Sequence, residues 1–157
     1  MIMIETLMIL GIILLDRLSK SWAMESLRTV DTIPLWPDVF HLSYRTNTGA
    51  AFSIFREHTE ILAVLSFVLS AGLIWYLIRS RRQEPFNLSH VGLSFIIGGA
   101  IGNGIDRLVY RYVVDMFDFR LINFAVFNVA DSFITVGVSL IIFDLLFLEK
   151  KRQKKQA

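Results

Sequence analysis

The chain of 157 residues has no cysteine, and this absence excludes several kinds of site. Without thiols the protein can form neither a disulfide framework nor a cysteine nucleophile nor a thiolate metal centre. Its three histidines, His41, His58 and His90, are scattered and lack the spacing of metal ligands. We therefore expect no metal site.

A large excess of charge of one sign is also lacking. The 16 Lys and Arg residues against 14 Asp and Glu give a net charge of +2, which is small for a nucleic-acid-binding protein. The densest basic stretch lies in residues 149–157, follows an apolar segment, and is typical of a tail at a membrane surface. No nucleic-acid partner is expected.

Apolar residues, in contrast, are abundant. Hydrophobic types make up 54% of the chain, 13 residues are Phe, and the mean hydropathy is +0.55. These values exceed those of most soluble domains and predict an integral membrane protein. A chain of this length holds about four spanning helices of roughly 20 residues each. We expect one domain, residues 1–157, without a separate soluble unit.

Four apolar segments predict four transmembrane helices and a mainly α fold. In the second segment, Trp75 and Tyr76 lie near the end, where aromatic rings favour the membrane interface. The third contains small residues such as Gly99, which let neighbouring helices approach closely. A cleaved signal peptide is an alternative for the first segment, but Glu5 and the lack of Lys or Arg before the apolar core disfavour it. The predicted spans are about 5–26, 61–78, 88–107 and 131–148.

Basic residues beside the helix ends predict the orientation. Arg79, Arg81 and Arg82 follow the second span, and the basic tail of residues 149–157 follows the fourth. Both clusters lie on the same side of a four-helix topology, and the positive-inside rule makes that side cytoplasmic. Both termini are then cytoplasmic, and the two longer connecting segments face outward.

The first outward segment, about residues 27–59, contains short alternating stretches bounded by turn formers such as Pro34 and Pro37. Such a pattern predicts β-strands. Gly49 can supply a tight backbone turn in the same segment. We expect a small β cradle on the outer membrane face.

Two aspartates, Asp115 in V-V-D-M-F and Asp131 in F-N-V-A-D-S, are predicted to lie near the outer face. Residues 132–148 rise about 1.5 Å each and so cover roughly 25 Å, which places Asp131 near the outer surface. A short excursion after the third span can bring Asp115 back beside it. Adjacent carboxyl groups can share one proton, which leaves one carboxylate to activate water and one acid to protonate a substrate. The pair predicts an aspartic protease.

The two aspartates also admit other interpretations. Each can be a loop acid, and Asp131, directly before an apolar helix, can act as its N-cap. A small transporter that relays protons through the pair is a second class, but both acids fall at one membrane face and transport needs deeper groups. A membrane scaffold whose partner surface is the small-residue third helix is a third class.

Further polar residues are predicted near the pair. Asn128 precedes Asp131, and Asn103 and Arg107 lie at the outer end of the third span. Their donors can hold carboxylates in a fixed geometry. The sequence therefore predicts a polar cluster around the aspartates.

Three charged residues have an alternative, structural interpretation. Asp106, beside Arg107, is as consistent with an interfacial ion pair as with a place in the site. Asp16 and Lys20 are one helical turn apart, so we expect them to neutralise each other near the outer interface.

Five sequence boxes resemble the lipoprotein signal peptidases, also called signal peptidase II, a family of bacterial inner-membrane aspartic proteases. The resemblance covers the chain apart from the basic tail and residues 84–87. The boxes are D-R-L-S-K at 16–20, R-T-N-T-G-A-A-F at 45–52, G-G-A-I-G-N-G-I-D-R at 98–107, V-V-D at 113–115 and F-N-V-A-D-S at 127–132.

The resemblance implies a role for each matching residue. Asp115 and Asp131 would be the catalytic pair. The residues that would bind substrate or support the site are Asn47, Gly49, Asn103, Arg107, Asn128 and Ala130. Those with a structural or positional role would be Asp16, Lys20, Asp106 and Gly99.

The resemblance also implies an activity, namely cleavage of a prolipoprotein on the amino side of a cysteine that already carries diacylglycerol. The enzyme would be a multi-pass protein of the bacterial inner membrane with its active site near the outer face. No metal or organic cofactor is implied, the partners are substrate and membrane lipid, and we expect a monomer. Apolar grooves near Phe52, Phe55 and Phe117 are predicted to accept the signal helix and acyl chains.

Overall fold

The computed structural model describes residues 2–49 and 59–148. Two of the predicted groove residues, Phe52 and Phe55, lie outside the described residues, as does the predicted basic tail of residues 149–157.

The protein is mainly helical, as predicted. Four helices are formed by the four apolar segments, and the second continues beyond its predicted end at Ile78 because Arg79, Arg81 and Arg82 belong to its last turns. The fourth continues into a π-helical turn, Asp144–Leu148. The helices are α1 (Met3–Ser26), α2 (Thr59–Gln83), α3 (Leu88–Tyr110) and α4 (Val129–Phe143).

A three-stranded antiparallel sheet confirms the predicted small β element. Strands β1 (Thr32–Trp36) and β2 (Phe40–Asn47) come from the first connecting segment, and β3 (Val113–Phe119) comes from the connection between α3 and α4. β2 lies in the middle and pairs with both neighbours. The third strand was not predicted, although its valines and phenylalanines favour strand structure. The sheet therefore brings both connecting segments to the same end of the helix bundle.

The sheet is anchored on the C-terminal end of α1. Val114 and Met116 of β3 form a buried apolar cluster with Ala23 and Leu27. Because successive side chains of a strand point to opposite faces, Asp115 between them points away from this cluster. Packing of the sheet thus fixes the direction of the Asp115 carboxyl group.

Helix α3 lies at the centre of the bundle and packs against α1, α2 and α4. Its glycines allow the close approach, since Gly98 faces Ile12 of α1 and Gly99 faces Ala130 of α4. The contacts confirm the expectation of a tightly packed third helix.

Three helices of the described residues are long and apolar enough to span a membrane, rather than the four expected. They are Thr59–Gln83, Leu88–Tyr110 and Val129–Leu148. The first helix fails on composition, because every 18-residue stretch of α1 contains Asp16, Arg17 and Lys20.

The packing of Gly99 generates a prediction about stability. A Cβ atom at Gly99 would lie 2.5 Å from the carbonyl oxygen of Ala130 and 2.7 Å from a side-chain carbon of Ile134, so the Gly99→Ala change must push α3 and α4 apart. We expect it to destabilise the protein by about 1–3 kcal/mol. Thermal melting of the purified protein in detergent measures this as a lower Tm.

Gly72→Ala is the matched control, because an added Cβ at Gly72 of α2 meets nothing within 4 Å. Its Tm should stay unchanged or rise slightly, since Ala favours a helix over Gly by up to about 1 kcal/mol. Equal Tm values for the two variants would show that the α3–α4 contact is not tight.

Candidate active site

Asp131 lies in the first turn of α4 and is held there by a reciprocal pair of hydrogen bonds. The backbone N–H of Asp131 donates to the side chain of Asn128 at 2.9 Å, and the N–H of Asn128 donates to Oδ2 of Asp131 at 3.3 Å. This arrangement is a capping box with Asn128 as the N-cap. Asp131 is therefore not the N-cap itself, and its carboxylate lies where the helix dipole stabilises negative charge.

Asp115 is a strand residue rather than a loop acid. It lies on β3 opposite Arg45 of β2 and is only 3% exposed. Its Oδ1 accepts a hydrogen bond of 2.7 Å from the amide of Asn128, and the side chain of Asn47 also bonds to it. The sheet and the N-cap of α4 together fix this carboxyl group.

Two asparagines connect the aspartates. The Asn128 amide, which donates to Asp115, also donates to Oδ1 of Asn103 at 3.1 Å. The Asn103 amide in turn donates to Oδ1 of Asp131 at 2.8 Å. The two carboxyl groups thus belong to one hydrogen-bonded chain whose geometry sets their relative orientation.

Burial and like charge determine the ionisation of Asp115. Loss of solvent contact and the neighbouring Asp131 charge raise the pKa of Asp115 to about 7, although hydrogen bonds from Asn128 and Asn47 and the charge of Lys20 act in the opposite direction. Two close carboxyl groups titrate as a pair. Near neutral pH the pair is therefore able to hold a single proton.

Both carboxyl groups face a cavity of about 400 Å³. Polar side chains make up one part of its lining, and the segment from Ile122 to Phe127 forms much of the remainder. The segment turns at Asn123, whose φ of 48° is one that Asn tolerates better than most residues. The polar lining residues are Asn47, Asn103, Arg107, Asp115, Asn123 and Asp131.

Arg107 joins the first connecting segment to this cavity. Its Nη2 donates to the carbonyl oxygen of Gly49 at 3.2 Å, and the N–H of Gly49 donates to Oδ1 of Asn47 at 2.9 Å. The Nε of Arg107 is buried without a hydrogen-bond partner among residues 2–49 and 59–148. These three residues, which come from two of the boxes, are brought together beside the cavity, which Asn47 and Arg107 line.

The partners of Asp106 differ from those expected. It forms ion pairs with Arg17 and with Lys20, the latter at 3.0 Å, and not with its neighbour Arg107. Consecutive helix residues point about 100° apart, so Asp106 faces α1 while Arg107 faces the cavity. Arg17 belongs to the D-R-L-S-K box, but nothing in the sequence pattern indicates that its partner is Asp106.

Asp16 and Lys20 are bonded to each other at 2.8 Å, but they are fully buried and do not lie at an exposed interface. Asp16 also accepts the backbone N–H of Ala130 at 3.0 Å, and Ala130 packs against Gly99. These residues lie behind the cavity and do not line it.

Phe117 is the one predicted groove residue within the described part of the chain. Its ring contacts Phe40 and Phe127, and it is not among the residues that line the cavity. In residues 2–49 and 59–148 no cluster of His, Asp and Glu has the grouping of a metal site.

Sequence comparison identifies the relatives of the chain. Residues 8–147 match the family model described as signal peptidase (SPase) II. The chain is 52% identical over 128 residues to a lipoprotein signal peptidase of Gloeothece citriformis, covering 79% of this chain and 77% of the relative. It is 40% identical over 149 residues to a lipoprotein signal peptidase of Clostridioides difficile, covering 95% of this chain and 99% of the relative.

Solved structures with a similar fold are also known. Two structures described as bacterial membrane enzymes, each 27% identical in sequence, superpose with TM-scores of 0.84 and 0.82. The first similarity covers 93% of this chain and 89% of the other, and the second covers 94% and 96%. The resemblance predicted from the five sequence boxes is thereby confirmed, and the chain belongs to the signal peptidase II family.

Proposed function

We propose that this protein is an aspartic endopeptidase that removes the signal peptide from diacylglyceryl-modified prolipoproteins, cutting on the amino side of the lipidated cysteine. The observation that carries the proposal is the bridge of Asn128 and Asn103 between Asp115 and Asp131, which holds two carboxyl groups beside an open cavity. Membership of a peptidase family supports the same reaction class.

In the proposed mechanism the pair shares one proton, which Asp115 holds in the resting state. Burial favours the neutral form of Asp115, whereas the first turn of α4 favours a negative charge on Asp131. The Asp131 carboxylate removes a proton from water as the water oxygen attacks the scissile carbonyl carbon. Asp115 donates a hydrogen bond to the carbonyl oxygen.

In the second step the peptide C–N bond breaks. The leaving nitrogen takes a proton from the carboxyl pair, and the new carboxyl group stays on the signal peptide. The pair ends with one proton and is ready for another turnover. Asn47 and Arg107 line the cavity beside the pair, and Gly49 forms a hydrogen bond with each of them. We propose that these three residues position the substrate backbone.

We propose that α1 is a fourth span despite its charges, within a single membrane domain of residues 1–157. Asp16 and Lys20 are 0% exposed and paired inside the bundle, so lipid would not meet them. The outward face of α1 carries leucines instead, among them Leu7, Leu10 and Leu14 at 61%, 57% and 60% exposure. Internal pairing is the usual way in which membrane helices accommodate charge.

The proposed orientation places both termini in the cytoplasm and the site near the outer face of the bacterial inner membrane. The basic residues at the end of α2 support it through the positive-inside rule. The protein is proposed to act as a monomer, and the lipidated substrate would reach the cavity sideways from the bilayer. A transporter is not supported, because the two acids adjoin one cavity at the sheet end of the bundle.

The proposal predicts the effect of removing either carboxylate. Asp115→Asn and Asp131→Asn should each lower kcat for a diacylglyceryl-modified prolipoprotein peptide by at least about 10³-fold, because neither variant can hold the one-proton pair. The measurement is release of the signal peptide by purified protein in detergent.

Asp118→Asn is the matched control on the same strand. Asp118 bonds to Ser43 at 2.7 Å and to Arg120 at 3.1 Å, and does not line the cavity. This variant should cut at close to the wild-type rate. Normal cleavage by folded Asp115→Asn or Asp131→Asn protein would reject the proposed pair.

The raised pKa of Asp115 predicts how stability depends on pH. The folded protein keeps a proton up to about pH 7 that the unfolded chain, with its ordinary value of 3.8, has already released. The stabilisation is therefore complete below about pH 4 and is lost as the pH rises through 7. The charged groups near Asp115 are Asp131, Lys20 and Arg107, together with Arg45 on the neighbouring strand.

Asp115→Asn resembles the protonated acid at every pH. Its Tm should exceed that of the wild type by several degrees at pH 8, with little difference at pH 4.5, since a shift of about three pKa units corresponds to about 4 kcal/mol. Thermal melting at the two pH values provides the comparison. The same Tm difference at both would mean that Asp115 has an ordinary pKa.

A further inference from the structure

Four charged side chains lie between α1 and α3, behind the aspartate pair. Asp16, Lys20 and Asp106 are 0% exposed, and the Arg17 side chain is 23% exposed. Two cations and two anions make the cluster neutral, but removing charges from water is costly even when they are paired. Apolar residues of similar volume could fill this space without any charge and with equal stability. The presence of the charged cluster therefore indicates a role other than stabilising the fold.

The two carboxylates of the cluster hold the backbone next to each aspartate of the site. Oδ1 of Asp16 accepts the N–H of Ala130 at 3.0 Å, and Ala130 directly precedes Asp131. Oδ2 of Asp106 accepts the N–H of Val114 at 3.3 Å, and Val114 directly precedes Asp115. Helix α4 and strand β3 are therefore fixed to the same cluster.

The Lys20 ammonium lies between these two carboxylates. Its Nζ is 2.8 Å from Oδ2 of Asp16 and 3.0 Å from Oδ2 of Asp106. It also donates to Oδ1 of Asn103 at 2.8 Å. The three contacts match the three donors of an ammonium group.

The bond from Lys20 fixes the amide orientation of Asn103. With its oxygen facing the ammonium, the amide must direct its NH₂ group to Oδ1 of Asp131, at 2.8 Å. If the Asn103 amide were flipped, its NH₂ group would face the Lys20 ammonium and its oxygen would face the Asp131 carboxylate. Both hydrogen bonds would then be lost.

We propose that Lys20 is a positioning residue of the peptidase, whose ammonium joins the segments that carry Asp115 and Asp131 and sets the Asn103 amide that orients Asp131. The proposal rests on the proposed function, because it assumes that the two aspartates react. Lys20 touches neither of them in the hydrogen bonds described and acts through Asn103 and the two carboxylates.

Arg17 provides a matched comparison within the same cluster. It bonds to the same Asp106 carboxylate and to the hydroxyl of Tyr110 at 3.0 Å, but has no bond to Asn103 or Asp16. Lys20→Met and Arg17→Met each remove one positive charge. Only the first removes the contact with Asn103.

The experiment measures kcat and KM for the diacylglyceryl-modified peptide. Lys20→Met should lower kcat by about 100-fold with KM within about threefold of wild type, because substrate binding is retained while the pair is misoriented. Arg17→Met should keep kcat within about threefold. An equal loss of kcat in both variants would show that activity depends on the net charge of the cluster and not on the contact with Asn103. That result would overturn the proposal.

The pH profile gives a readout that a purely structural role would not change. The Lys20 charge favours ionisation of Asp115, so its removal should move the alkaline limb of the kcat/KM profile to higher pH. In Arg17→Met the alkaline limb of the kcat/KM profile should remain at the wild-type pH. An unshifted limb in Lys20→Met would count against the proposal.

Two charge-balanced double variants cover the case in which Lys20→Met fails to fold. Lys20→Met/Asp106→Asn and Arg17→Met/Asp106→Asn both leave one cation and one anion and differ in which cation remains. The first should fold and still show the low kcat, and the second should be clearly faster. Equal rates, or failure of both Lys20 variants to fold, would make Lys20 merely structural and overturn the proposal.

Asp115→Asn and Asp131→Asn in the same assay distinguish failure of the aspartate pair from failure of the Lys20 proposal. Cleavage by these variants would reject the aspartate pair and the positioning proposal with it. Inactive aspartate variants together with fully active, folded Lys20 variants would reject the positioning proposal alone.

Discussion

Repulsion between two carboxyl groups, one of which is almost completely buried, is the constraint around which this site is organised. Like charges interact strongly where water is scarce, so Asp115 and Asp131 remain close only if a proton and fixed donors reduce the repulsion. The Asn128 amide reaches Asp115 and the Asn103 amide reaches Asp131, and the two amides bond to each other. The N-terminus of α4 further stabilises the charge on Asp131.

The remainder of the fold holds these donors in place. Helix α3 carries Asn103 and packs closely against α4 through Gly99. The sheet carries Asp115 with its apolar neighbours buried against α1, which leaves the carboxyl group facing the cavity. Two helices that are long and apolar enough to span a membrane, α3 and α4, thus carry one part of the site, and a strand of the sheet completes it.

Much of the fold could be predicted from the sequence, because long apolar segments determine the helices. The two aspartates and the asparagines that join them lie in the five boxes, whereas Asn123 and its neighbours in the cavity lining lie in none of them. Strand β3 was missed, since a seven-residue strand depends on pairing with a distant partner. The sequence also left open whether Asp106 pairs with Arg107 or belongs to the site, because only tertiary packing shows that it faces Arg17 and Lys20. Composition alone likewise could not reveal that the charges of α1 point into the bundle.

The proton shared by the two aspartates is the central claim, and infrared difference spectroscopy tests it most directly. If the pair shares one proton, the wild type compared with Asp115→Asn at pH 6 shows one protonated carboxyl band that disappears as the pH is raised through about 7. The band should have no counterpart when Asp118→Asn is compared with the wild type. Absence of the band at pH 6, or its persistence well above pH 7, would contradict a pair that holds a single proton at neutral pH.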